Sequence, residues 1–99
     1  MSLDMTRKNS SKSERFDGKD ETILSVATEL DEYPQLAVIQ RDFYKDTRIY
    51  PDISRALAFE LRAVAELPQL AGARTRCIQL AKYFEEAYET NELIYCAGD

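Results

Sequence analysis

The stretch of sequence that decides the fold is LAGARTRCIQLAKYFEEA, residues 70–87. Its apolar side chains recur at alternating spacings of three and four residues over more than two heptads, which predicts an amphipathic helix that packs against other helices. The residues of this pattern, here called the heptad stripe, are Leu70, Ala73, Cys77, Leu80, Phe84 and Ala87. We expect them to form an interface, either with another helix of the chain or with a second copy.

The predicted fourth helix extends beyond the heptad stripe, from about Pro68 to Tyr95, and Gly98 is a suitable stop signal after it. Three shorter helices precede it. The first is predicted to begin after Asp20, a favoured N-cap residue, and to end before Pro34. Its many β-branched residues leave a strand as the alternative for this segment.

Proline also marks the start of the second helix. Pro34 suits the first turn, and the apolar residues Leu36, Ile39 and Phe43 then fall on one side. The run 45–52 interrupts the helical pattern, and a third helix begins at its end.

Residues 1–17 differ from the rest of the chain in charge and composition. Residues 1–15 carry four basic and two acidic side chains, whereas the whole chain of 99 residues has a net charge of −5. The content of Ser, Lys and Asn is typical of a solvated tail. We therefore predict an all-α fold, a small bundle of about four helices over residues 18–99, which could form two helical hairpins. A flexible, polar, basic N-terminal arm over residues 1–17 precedes it.

The residue types that are missing exclude the common enzyme templates. Without histidine the chain cannot form Ser–His or Cys–His nucleophiles or His-ligated zinc sites. It has no glycine-rich loop for nucleotide phosphates, and its two cysteines, Cys77 and Cys96, do not form a CxxC pair. We expect a non-enzymatic protein with reduced cysteines, no cofactor and no metal site.

Carboxylates are the only plentiful groups left for acid–base or metal chemistry. Glu85 and Glu89 share one face of the fourth helix and could hold a hard cation, but the histidines of helical di-metal sites are missing. Glu60 is more unusual, because the helical wheel places it within the apolar face of the third helix. It is either a buried charge with a basic partner, a group in a polar pocket, or a residue whose carboxylate reaches water.

The order of charges along the fourth helix opposes the dipole of that helix, since basic residues come first and glutamates last. An antiparallel hairpin with the third helix would offset this order by placing Glu66 beside Arg74 and Arg55 beside Glu85. Two copies of the fourth helix packed antiparallel would do the same and would close as a homodimer.

Tyrosines beside the heptad stripe, namely Tyr83, Tyr88 and Tyr95, are further candidates for a contact surface. The leading hypothesis is a non-enzymatic helical protein–protein interaction module, a small regulatory or accessory subunit that forms a homodimer. No apolar run is long enough to span a membrane, so we expect a cytoplasmic protein that does not bind membranes.

Two alternatives remain open at this stage. One is a nucleic-acid-associated transcriptional regulator, in which the break at 45–52 and the next helix, with Arg55 and Arg62, form a helix-turn-helix outline. The acidic net charge disfavours nucleic acid as a partner. The other alternative is an enzyme or ligand-binding protein with a pocket at Glu60.

Overall fold

The computed structural model describes residues 2–42 and 45–98. Within these residues the chain forms four α-helices, two short 3-10 helices and one four-stranded antiparallel sheet, which is an α+β fold. In chain order the elements are β1 (Ser2–Arg7), β2 (Ser13–Asp17), a 3-10 helix (Gly18–Asp20), α1 (Glu21–Leu30), α2 (Pro34–Arg41), β3 (Thr47–Ile49), α3 (Pro51–Val64), a second 3-10 helix (Pro68–Ala73), α4 (Arg74–Glu89) and β4 (Ile94–Gly98).

The sheet has the strand order β2-β1-β4-β3, so the first and last strands of the chain lie side by side at its centre. In the register, Leu3 of β1 is opposite Phe16 of β2, and Met5 of β1 is opposite Cys96 of β4. All four of these side chains are buried. Side chains along a strand alternate between the two faces, so one face of the sheet packs on the helices and the other is open to solvent.

The prediction of an all-α bundle with a flexible arm is therefore wrong. Residues 2–17 form the hairpin of β1 and β2, in which Leu3, Met5 and Phe16 are fully buried. The polar residues of this segment have places in the fold. Alternate residues of its strands lie on the open face of the sheet, and Arg7 is buried beside a carboxylate instead of being solvated. Composition averaged over the segment conceals the period-two pattern of a half-buried strand.

Both predicted ends of the fourth helix are also wrong. Pro68–Ala73 forms a 3-10 helix that is interrupted at Leu70, and α4 begins only at Arg74. The helix ends at Glu89, and both Tyr95 and Gly98 lie in β4. Between the end of α4 and the start of β4, Asn91 has a φ of 54°, a left-handed conformation that Asn adopts more readily than most residues. The chain then continues through residues 94–96, whose sequence IYC favours a strand.

The starts of the first three helices are confirmed. Helix α1 begins directly after Asp20, and α2 and α3 begin at Pro34 and Pro51. The strand alternative for the first helix is wrong. The interruption at 45–52 contains β3, and Phe43, expected on the apolar side of α2, lies outside the described residues.

The heptad stripe faces the interior of the chain. Five of its residues are at most 1% exposed, and Ala73 is partly buried. The stripe belongs to one hydrophobic cluster that also contains residues of α3 and of the inner face of the sheet. Within it Phe84 stacks on Phe16 of β2, with ring centroids 6.2 Å apart. Helices α3 and α4 pack against each other as an antiparallel pair, with Glu66 after the end of α3 beside Arg74 at the start of α4. The inner side of this pair covers the core, and its outer side is exposed to solvent.

Candidate interaction surface

The outer side of α3 and α4 carries an open groove with a volume of about 610 Å³. We call this surface the α3–α4 groove. Phe59 is 77% exposed there, more than any other large hydrophobic residue in the described part of the chain, and Tyr88 is 43% exposed. The groove is lined by Arg55, Ala58, Phe59, Arg62 and Ala63 of α3 and by Glu85, Tyr88 and Glu89 of α4.

Helical periodicity places these side chains outward. Arg55, Phe59 and Arg62 follow one another at spacings of four and three residues, which puts them on one side of α3. Leu57 and Leu61 lie on the opposite side and are fully buried. Helix α4 is divided in the same way, with its residues of the heptad stripe, Cys77 to Ala87, inward and the groove residues outward.

The charges around the groove are balanced and partly paired. Arg62 Nη2 donates a hydrogen bond to Glu85 Oε1 at 2.9 Å, and this bond lowers the pKa of the Glu85 carboxyl. The Arg55 guanidinium lies 5.4 Å from the centroid of the Tyr88 ring, within cation–π range. The groove therefore contains two exposed aromatic rings and has a rim of two arginines and two glutamates. Aromatic residues and arginine are the types that protein interfaces favour.

Glu60, the predicted buried charge, points away from the groove and is 8% exposed. Its Oε1 accepts hydrogen bonds from the backbone amides of Gln35 and Leu36, each at 3.0 Å. These amides belong to the first turn of α2, where Tyr33 at the N-cap position makes no side-chain cap. Glu60 thus supplies from α3 the cap that α2 lacks, and its charge lies at the positive end of the α2 dipole. Glu60 does not line any of the four most prominent cavities of the described residues.

The predicted interface residues divide between the core and the groove. The heptad stripe lies in the core, and Tyr83 is 7% exposed, with its hydroxyl donating a hydrogen bond to the Lys12 carbonyl oxygen at 2.9 Å. Burial raises the pKa of Tyr83. Tyr88 alone of the nine predicted residues lies in the groove, and Tyr95 lies on the open face of the sheet. Homodimer formation stays a prediction, and the surface available for it is the groove and not the heptad stripe.

The basic start of α4 is offset by carboxylates of other elements. The predicted contact between Glu66 and Arg74 is present, with a hydrogen bond of 3.0 Å. Glu85 pairs with Arg62, which lies about two helical turns further along α3 than the predicted Arg55. A contact that the sequence did not suggest joins α4 to the sheet side of the molecule, where Arg76 donates to the buried Asp20 at 3.0 Å.

A buried ionic cluster lies between the β1–β2 turn and the start of β4. Glu92 is 2% exposed and accepts hydrogen bonds from Arg7 Nη2 at 2.7 Å, from the Ser10 amide at 3.0 Å and from the Thr90 hydroxyl at 2.6 Å. The hydrogen bond from Arg7 holds the pKa of Glu92 well below its usual range. Because donors occupy both carboxylate oxygens, this cluster links strands and offers no free acid or base.

The two cysteine thiols are buried in the core. Cys77 and Cys96 are free thiols in the core, and burial raises their pKa values to about 11 and about 12. Both are therefore protonated and unreactive at neutral pH. Within residues 2–42 and 45–98 no group of three acidic, Cys or His side chains is placed to hold a metal ion. The Glu85 carboxylate considered for a cation is bound to Arg62.

The open face of the sheet is the second solvent-facing surface, and it is polar. Tyr95 is 43% exposed, with the Arg48 guanidinium 5.8 Å from its ring centroid. Beside it Arg15 and Asp4 form an exposed ion pair at 3.2 Å. An isolated tyrosine among charged residues does not make an apolar patch.

The elements of the helix-turn-helix outline are separated by a strand. β3 lies between α2 and α3, where such a motif has a tight turn. The guanidinium groups of Arg55 and Arg62 are occupied by Tyr88 and Glu85.

In the part of the chain that the structure describes, no helix combines the length and the apolar character needed to cross a lipid bilayer. No protein-family model, curated protein or solved structure matches the chain.

Phe59 is the functional candidate that sequence reasoning missed. The heptad stripe drew attention to α4, whereas the exposed ring lies on α3, between Arg55 and Arg62. The available signal was an aromatic residue on the charged side of an amphipathic helix, where burial within the chain does not account for it.

Proposed function

We propose that this chain is a non-enzymatic protein–protein interaction module, a small regulatory or accessory subunit that binds another protein chain through the α3–α4 groove. The observation that carries the proposal is the exposure of Phe59, 77% of whose surface faces solvent beside a second exposed ring, Tyr88. Exposed aromatic residues that lie together mark contact surfaces more reliably than single ones.

The groove has the composition of an interface centre. Burying an exposed phenylalanine contributes about 1.5–3 kcal/mol, and aromatic and arginine side chains supply most of the binding energy at measured interfaces. Ala58 and Ala63 keep the floor beside Phe59 low, which leaves room for a partner side chain. The ion pair of Arg62 and Glu85 lies at the exposed rim. A polar rim of this kind shields the centre from water once a partner covers the groove.

The absence of a catalytic role is part of the proposal and is supported by the state of the acidic groups. Glu60 caps α2, and Glu92 is saturated by donors. Both thiols are buried and protonated. Reduced, buried cysteines also fit the cytoplasm, where we place the protein.

A photo-crosslinking phenylalanine analogue in place of Phe59, introduced in the native cell, tests this function. A second variant carries the analogue in place of Tyr95, which has an exposed ring on the open sheet face. We expect crosslinks to protein chains, including other copies, from position 59 and not from position 95. Equal crosslinking from both positions, or none from position 59, would contradict the proposal.

A further inference from the structure

We infer that the occupant of the α3–α4 groove is a second copy of this chain, related to the first by a two-fold axis that runs parallel to α3 and α4. The inference rests on the proposed function, because it names the partner of the surface proposed there. It follows from where the charges lie along the two helices.

Oppositely charged end groups meet across the groove. The Arg62 guanidinium of α3 lies at the height of the Glu85 carboxylate of α4, since they form an ion pair. The Arg55 guanidinium lies at the height of the Tyr88 ring, 5.4 Å from its centroid, and Glu89 follows Tyr88 directly. The basic residues of the groove all come from α3 and the acidic ones all come from α4.

A two-fold axis parallel to the helices turns this pattern into a self-complementary one. Such an axis lays α3 of one copy across α4 of the other at the same height. Arg62 then meets Glu85 of the second copy, and Arg55 meets Tyr88 and Glu89 of the second copy. The two intramolecular pairs of Arg62 and Glu85 merge into a network of four charges at the rim.

The other two-fold arrangement of the same face is electrostatically unfavourable. An axis perpendicular to the helices within the interface places α3 against α3 and α4 against α4 in opposite directions. Arg55 would then lie near Arg62 of the second copy, and Glu85 near Glu89. Like charges brought together at an interface destabilise it, so the parallel axis is selected.

The aromatic residues fit the parallel axis as well. Phe59 lies between Arg55 and Arg62 along α3 and lines the same groove as Tyr88. In the dimer each Phe59 ring therefore enters the groove of the other copy, beside its Tyr88 ring. Both exposed rings of the outer face are covered by one symmetric contact.

The area of the face predicts a weak dimer. The 16 residues of α4 span about 24 Å, and two adjacent helices are about 20 Å wide. The contact covers roughly 500 Å² of each copy, or roughly 1,000 Å² in total, at the lower limit of stable interfaces. We expect a reversible dimer with a dissociation constant on the order of micromolar or weaker.

Charge reversal in two separate variants tests the axis. The variants are Arg62→Glu and Glu85→Arg, both at exposed positions, where loss of an ion pair has little effect on folding. Sedimentation equilibrium is run on the full chain from about 1 µM to about 500 µM, a range that brackets a micromolar constant. The two variants are measured alone and as an equimolar mixture, and native mass spectrometry identifies the mixed dimer.

The wild type should dimerise reversibly, and each variant alone should dimerise at least about tenfold more weakly, because both Arg–Glu contacts become like-charge contacts. The mixture should return to near the wild-type constant, because each copy then meets an opposite charge at both positions. Weakened variants that the mixture does not rescue, or variants that dimerise like the wild type, would overturn this arrangement. A wild type that stays monomeric would overturn the second copy as occupant, while crosslinking from position 59 to a different protein would still support the proposed function.

Discussion

The outer and inner sides of α3 differ in an unexpected way at two adjacent residues. Phe59 is 77% exposed, whereas its neighbour Glu60 is 8% exposed. Hydrophobicity alone favours the reverse, with the ring inside and the carboxylate outside. The two inversions have different explanations.

Glu60 is stabilised by groups of the same chain. Two backbone amides of the first turn of α2 donate to it, so its burial leaves no unsatisfied charge. For Phe59, in contrast, nothing in the described chain covers the ring. An inverted residue with a partner inside the chain has a structural role, and one without such a partner is a candidate for binding.

Two phenylalanines at the two sides of the helix pair should show the largest contrast. Phe84→Ala removes a fully buried ring that stacks on Phe16, and we expect it to lower the free energy of unfolding by about 3–5 kcal/mol. Phe59→Ala should change it by less than about 0.5 kcal/mol. Urea denaturation of dilute, monomeric protein measures both. Comparable losses in the two variants would show that Phe59 belongs to the core.

Removing the carboxylate of Glu60 should give the next largest effect. Glu60→Ala leaves the first-turn amides of α2 without their acceptor and should lower the free energy of unfolding by about 1–2 kcal/mol. The matched control is Glu66→Ala, which removes an exposed carboxylate paired with Arg74 and should have almost no effect. Self-association should be unchanged in both variants. A Glu60→Ala variant as stable as its control would exclude the capping role.

Two tyrosines with the same exposure sharpen the contrast between the groove and the open sheet face. Tyr88 and Tyr95 are each 43% exposed, and each lies beneath an arginine. Tyr88→Ala should weaken dimerisation by about tenfold, which is about 1.4 kcal/mol. Tyr95→Ala should leave it unchanged. Analytical ultracentrifugation of both variants decides between the two faces, and a larger effect of Tyr95→Ala would assign the interface to the sheet.

The smallest expected effect is on acid stability. The hydrogen bond from Arg7 lowers the folded-state pKa of Glu92 below its ordinary value of 4.5, so the stabilisation it gives is complete above that value. It is lost as the pH falls further toward the folded-state pKa, because the unfolded chain then binds the extra proton. When the wild type unfolds below about pH 4.5, Glu92 takes up at most about one proton, and the Glu92→Gln variant should lack this proton uptake. A pH series of urea titrations measures this, with Glu86→Gln, at the exposed end of the same cluster, as control. Equal acid slopes in the wild type and Glu92→Gln would contradict the assignment.

The helices were predictable because their signals are local. Proline at the first turn marks the starts of α2 and α3. Helix α1 begins directly after Asp20 as predicted, but the Asp20 carboxylate binds the Asp17 amide and Arg76 and does not cap the helix. The burial of the heptad stripe follows from its spacing alone. Its partners from the strands, among them Phe16 of β2, were not predictable from that spacing.

The sheet was missed because its evidence is spread over the whole chain. β1 is held by β4, more than 80 residues away, and the polar residues of its hairpin are stabilised by distant groups. Arg7 resembles a tail residue until Glu92 is placed beside it. For the same reason the sequence could mark Glu60 as unusual but could not identify the amides that bind it.

The central claim is that the exposed ring of Phe59 serves binding and not folding. Sedimentation equilibrium of Phe59→Asp, together with its urea denaturation, tests this most directly. We predict that the Phe59→Asp variant stays monomeric at concentrations where the wild type dimerises. Its free energy of unfolding should lie within about 0.5 kcal/mol of that of the wild-type monomer. A Phe59→Asp chain that dimerises like the wild type, or that loses stability as a core variant does, would contradict it.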